Sequence, residues 1–161
     1  MLIILEGLVM AFWLLLICVT GIANGPVGLV NFYEQDVQER AVELGLTTAE
    51  RIKKTARNTG LAMFLPLVTA VPAAVCLLNG AAGFRDRFLQ MTAIYLIMGL
   101  FDRLFIDGYW VGRTKAWLIP GTEDLQPYIP QKTALRKWIG TLAGFPLLAA
   151  ALAGLLQLLG V

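Results

Sequence analysis

Apolar residues along this chain come in long blocks, and four of them match the thickness of a bilayer hydrocarbon core, about 30 Å. These predict spans at about residues 2–23, 61–80, 88–110 and 138–160. The first block, LIILEGLVMAFWLLLICVTGIA, lacks the positive leader of a signal peptide, has Glu6 in its place and is too long for one. It reads as a retained helix. In the second block Pro66 and Pro72 each remove a backbone donor, which predicts a bend with carbonyls left free for other partners. Ala70 and Ala74 form a small-residue pair there, and Gly140, Gly144, Ala151 and Gly154 give the fourth block a face for close packing.

The polar stretches between the blocks carry their own order. Asn24-Gly25-Pro26 breaks the first helix, and residues 31–45 read as a mostly polar helix with an apolar stripe of Val37, Ala41 and Leu44. Gly45 stops it. Thr47 with Glu50 three residues on predicts a capping box, opening a basic helix, ERIKKTARN, that runs into the second span. After Trp117 the segment containing Pro120, Pro127 and Pro130 cannot be a regular helix, and Pro120-Gly121 suits a type II turn. Lys132, Arg136, Lys137 and Trp138 then read as an interfacial anchor for the last span. The architecture expected is one all-α integral membrane domain. It is a four-helix bundle whose helical first loop and Pro-rich third loop lie on the same side.

Composition agrees with the blocks. Hydrophobic residues make up 58% and charged residues 15%, against roughly 25% charged in soluble domains. A net charge of only +2 makes no case for a nucleic-acid partner. Lysine and arginine instead predict topology. Arg40, Arg51, Lys53, Lys54 and Arg57 lie in the first loop, and Arg113, Lys115, Lys132, Arg136 and Lys137 in the third. Only Arg85 and Arg87 lie in the short turn between the second and third spans. The positive-inside rule then places both large loops in the cytoplasm and both termini outside, in a plasma or inner membrane.

Missing residue types exclude several chemistries. Histidine is absent, which removes the usual neutral-pH acid/base group and the commonest transition-metal ligand. Serine is absent too, so a serine nucleophile is excluded. Cys18 and Cys76 stand alone in apolar blocks and read as small buried hydrophobes rather than a zinc or dithiol site. No metal site is expected; any bound metal would be a hard cation on carboxylates, and no cofactor is indicated. No run of residues carries a family signature.

The chemistry is concentrated in one stretch, YLIMGLFDRLFIDGYWVGRTKAW, from Tyr95 to Trp117. A charge inside hydrocarbon costs about 2.5–3.5 kcal/mol on insertion scales, so Asp102, Arg103 and Asp107 must face protein or water. At 100° per residue, Tyr95, Gly99, Asp102, Arg103, Ile106, Tyr109, Trp110 and Arg113 share one arc. Arg103 and Asp107 are spaced to pair, and Gly99 lets a neighbour approach. Asp102 and Asp107 are the candidate catalytic carboxylates. Arg103, Arg113, Lys115, Tyr109 and Trp110 are the candidate ligand-binding groups, because cations beside rings at a membrane surface suit a phosphate or carboxylate head on an apolar tail. The function expected is a polar pocket at the cytoplasmic leaflet that binds or processes an amphiphilic, anionic, lipid-like molecule, as an enzyme or as a binding protein. The alternatives are a small oligomeric transporter or channel, with copies of this chain as partners, and an accessory subunit of a membrane complex.

Overall fold

A computed structural model of the chain describes residues 2–160. Those residues are all-helical and contain no strand. Helix α1 spans Leu2–Ile22, the short α2 Gln35–Glu43, α3 Ala49–Leu78, α4 Gly83–Val111 and α5 Gln131–Leu158. Four of these, α1, α3, α4 and α5, are long and apolar enough to cross a membrane. Helices α3, α4 and α5 all begin before the apolar blocks that mark them in the sequence.

Helix α4 lies at the centre, with α1 packed on one side and α5 on another. Met91, Ile94 and Tyr95 of α4 are fully buried, as are Ala149 and Ala153 of α5. At Gly99 α5 packs directly against α4. A Cβ there would stand 2.7 Å from both the Phe145 ring and the Thr141 methyl, so any side chain would force the helices apart. Gly140, Gly144 and Gly154 do not serve this contact, since a Cβ on any of them would meet nothing within 4 Å. Ala151, expected on the same face, is exposed, and α5 packs through Ala149, Ala153 and Phe145.

The bend predicted for the second block falls at Thr69, between its two prolines, where φ is −122° and ψ −62°. Pro66 has no N–H for the carbonyl of Ala62, and the indole of Trp13 on α1 donates to that oxygen instead, at 3.0 Å. The Tyr95 hydroxyl donates to the carbonyl of Leu67 at 2.6 Å. Side chains of the neighbouring helices thus take up carbonyls that the kink exposes. The cap of α3 is Thr48, whose hydroxyl accepts from the Arg51 amide at 3.2 Å, so the expected cap at Thr47 is corrected by one residue. Thr47 is itself buried.

The first and third loops pack against each other at one end of the bundle. Pro26–Phe32 forms a 3₁₀ segment, and α2 follows with Val37 and Ala41 buried. Arg40 pairs with Asp124 at 3.4 Å, and the Thr133 hydroxyl donates to Glu34 at 2.6 Å. At the other end Asn79 donates to Glu6 and to Gln90, at 2.9 and 3.0 Å.

Candidate functional site

The C-terminal third of α4 is not an α-helix. From Asp102 to Val111 the backbone takes the wider i→i+5 pattern, and the Gly112 amide still bonds to the Asp107 carbonyl. A residue in such a helix advances by less than the 100° of an α-helix, so positions five apart share a face. Asp102 and Asp107 are five apart, and the wide turn sets both beside Arg103.

These side chains form one chain of ion pairs. Arg103 Nη2 contacts Asp102, and Nη1 lies 2.5 Å from Asp107 Oδ2. From α5, Lys137 Nζ donates to both oxygens of Asp107, at 2.9 and 3.1 Å. The Arg103 side chain is only 9% exposed and Asp107 only 13%, so each charge depends on its neighbours in place of water. Nε of Arg103 is buried without a partner, and Nη1, although close to Asp107, makes no hydrogen bond either. Among the described residues no three potential metal ligands converge.

Two cavities flank this chain of charges. The larger, about 470 Å³, is lined by Arg103, Asp107, Arg113, Lys115, Trp117 and Tyr128, with apolar residues of α4 and the third loop between them. Three cations and one carboxylate therefore face it. The smaller, about 220 Å³, touches Asp102, Arg103, Asp107 and Lys137, and is otherwise mostly apolar, with Cys18, Phe32, Met63 and Ile106 in its wall. Arg103, Asp107, Trp117 and Tyr128 belong to both linings.

The roof is a cluster of rings held by the two loops. Tyr33 donates to the carbonyl of Trp117 at 2.6 Å and lies edge-on to Tyr128, with centroids 5.0 Å apart. Tyr128 in turn meets the hydroxyl of the fully buried Thr122 at 2.8 Å. Burial pushes the Tyr33 phenol above its ordinary pKa, and the neighbouring Tyr128 adds to this, so Tyr33 stays a neutral donor. Trp117 is 3% exposed and meets Trp110 edge-on at 5.3 Å, yet its own Nε1 has no acceptor.

The structure therefore brings together Asp102, Arg103 and Asp107, and places Arg113 and Lys115 on the larger cavity. Tyr109 and Trp110 line neither cavity. Tyr109 is half-exposed and continues an outward ladder of stacked rings, Phe101, Phe105 and Tyr109. The 100° wheel puts it on the polar arc only because it assumes an α-helix through to Arg113. Lys137 does more than anchor the last span, and nothing in its local sequence shows that it returns to Asp107.

What the fold and site define is an all-helical protein with four helices long and apolar enough to span a membrane, with a paired-charge cluster between two cavities at one end. No family model, curated protein or solved structure matches the chain.

Proposed function

We propose that this chain is an integral membrane protein that binds an amphiphile through its anionic head, in the cavity between α4 and the third loop. Insertion is supported by the outer surface. Only 17–33% of the residues in each apolar window are buried inside the chain, and Phe12, Leu77, Leu142 and Leu147 point outwards. Apolar surface on this scale calls for an apolar surrounding. The two basic loops form the cytoplasmic end by the positive-inside rule, which sets the cavity at the inner leaflet.

The observation that carries the binding reading is the lining of the larger cavity, where Arg103, Arg113 and Lys115 outnumber Asp107. A surplus of cations in a partly closed space attracts an anion. The smaller cavity behind the shared wall is mainly apolar, which suits the start of a hydrocarbon tail. Asp102 and Asp107 act here as positioning residues: they fix the plane of the Arg103 guanidinium and leave its Nε edge for the ligand.

Native mass spectrometry of the purified protein tests this. An adduct of an anionic lipid or fatty acid should be retained by the wild type and lost from a variant combining Arg113→Gln with Lys115→Gln. Equal retention by both proteins, or adducts of zwitterionic lipid only, would refute it.

A further inference from the structure

We infer that the head group is a phosphate monoester, in preference to a phosphodiester or a carboxylate. The inference rests on the anion-binding reading above and narrows it. Its evidence is separate: buried donors on Arg103 and Trp117 that the fold leaves without acceptors.

Arg103 Nη2 bonds Asp102 and Nη1 touches Asp107 without hydrogen-bond geometry, while Nε, also buried, has no partner at all. Trp117, almost wholly buried, presents Nε1 with no acceptor. Burying an N–H without a partner costs free energy, so such groups in a folded protein call for an explanation. Here they belong to residues on the wall shared by the two cavities, and all are donors only. What is missing is an acceptor. Arg113 and Lys115 add charged donors on the same cavity.

The charge balance selects the kind of acceptor. Three cations and one carboxylate leave the lining with two positive charges in excess. A phosphate monoester carries about −1.5 to −2 near neutral pH and has three terminal acceptor oxygens. It can pair with the two outer cations together, and it supplies the acceptors that the Arg103 and Trp117 donors lack once those side chains turn to it, since the donor atoms are closed off in the free protein. A phosphodiester has one charge and two terminal oxygens. A carboxylate also has one charge and two oxygens, leaving one excess cation unneutralised.

The test is calorimetric titration of the detergent-solubilised protein with four probes: dioctanoyl phosphatidic acid, dioctanoyl phosphatidylglycerol, octanoate and inorganic phosphate. Phosphatidic acid should bind at least about tenfold more tightly than the other three. Trp117→Phe keeps a ring in the roof and removes the N–H, and should reduce the preference over phosphatidylglycerol to within about threefold. Its unfolding midpoint reports whether the roof stays closed, and Lys115→Gln on the outer wall, which should also weaken phosphatidic acid selectively, gives a second variant that does not disturb the core. Equal binding of phosphatidic acid, phosphatidylglycerol and octanoate overturns the monoester inference and leaves the anionic-amphiphile reading standing. Inorganic phosphate binding as tightly as phosphatidic acid supports the phosphate chemistry and overturns the amphiphile. No binding of any probe overturns both.

Discussion

The indole N–H of Trp13 reaches across from α1 to the carbonyl of Ala62, the oxygen that Pro66 leaves without its helical donor. One helix thus completes the hydrogen bonding of another at a defect written into the sequence. A polar bond between membrane helices contributes on average about 0.6 kcal/mol, up to about 1.7. Trp13→Phe is expected to lower the unfolding free energy by that amount. In a Pro66→Ala background the same change should cost less, because the alanine introduced there supplies its own N–H to the Ala62 carbonyl. A double-mutant cycle in detergent measures the difference, and additive effects would show that the two sites are not coupled.

Asp107 joins Arg103 on its own helix to Lys137 on α5, so its loss takes a partner from two cations at once. Breaking a buried pair from one side costs about 3–5 kcal/mol. The lower end applies to Asp107→Asn, since Lys137 is about one-third exposed and Asp102 still holds Arg103. Lys137→Gln should cost about 1 kcal/mol, in the range of partly exposed pairs. Midpoints of thermal unfolding rank them. If Lys137→Gln destabilises as much as Asp107→Asn, the buried charge is not where this ordering puts it.

Much of this architecture is legible in the sequence because bilayer-length apolar runs are a coarse signal that survives errors in register. Gly99 and the Arg103–Asp107 spacing are local, and both are readable for the same reason: neighbours on one helix are fixed by its period. Tyr109 and Trp110 are not, because the period itself changes at Asp102, and no residue there announces the wider turn. Lys137 is a long-range partner from another helix. Only the packing of α5 on α4, which depends on Gly99 meeting Phe145, brings it to Asp107. The one-residue shift from Thr47 to Thr48 is of another kind: two adjacent threonines can each cap, and the bond from the Arg51 amide goes to Thr48.

Tyr33 joins the two loops over the site through its bond to the Trp117 carbonyl. Tyr33→Phe leaves that buried oxygen unpaired and should cost about 1–3 kcal/mol. The pH dependence has a definite sign. The folded phenol is held above the ordinary value of about 10, chiefly by burial, so its contribution is complete below pH 10 and is lost as the pH rises further. The stability gap between wild type and Tyr33→Phe should therefore be flat from pH 7 to about 9 and narrow above about 10. A gap that widens in alkali would mean that the folded state favours the phenolate.

The proposed insertion and the proposed orientation of the site can be tested together. Arg40 pairs with Asp124, and Tyr33 bonds Trp117, so the first and third loops share one end of the bundle whatever the orientation. Arg85 lies in the first turn of α4, just after the short connection from α3. With Cys18 and Cys76 replaced by alanine, single cysteines at Lys53, Glu123 and Arg85 report this directly, since all three residues are exposed. In intact cells a membrane-impermeant thiol reagent should label the cysteine at 85 and spare those at 53 and 123 until the membrane is opened. The loops' surplus of lysine and arginine sets that expectation. Labelling of 53 and 123 from opposite sides would break the loop pairing on which the whole site depends. Labelling of both from outside would keep the site intact and move it to the outer leaflet, where the ligand must come from the other face of the membrane.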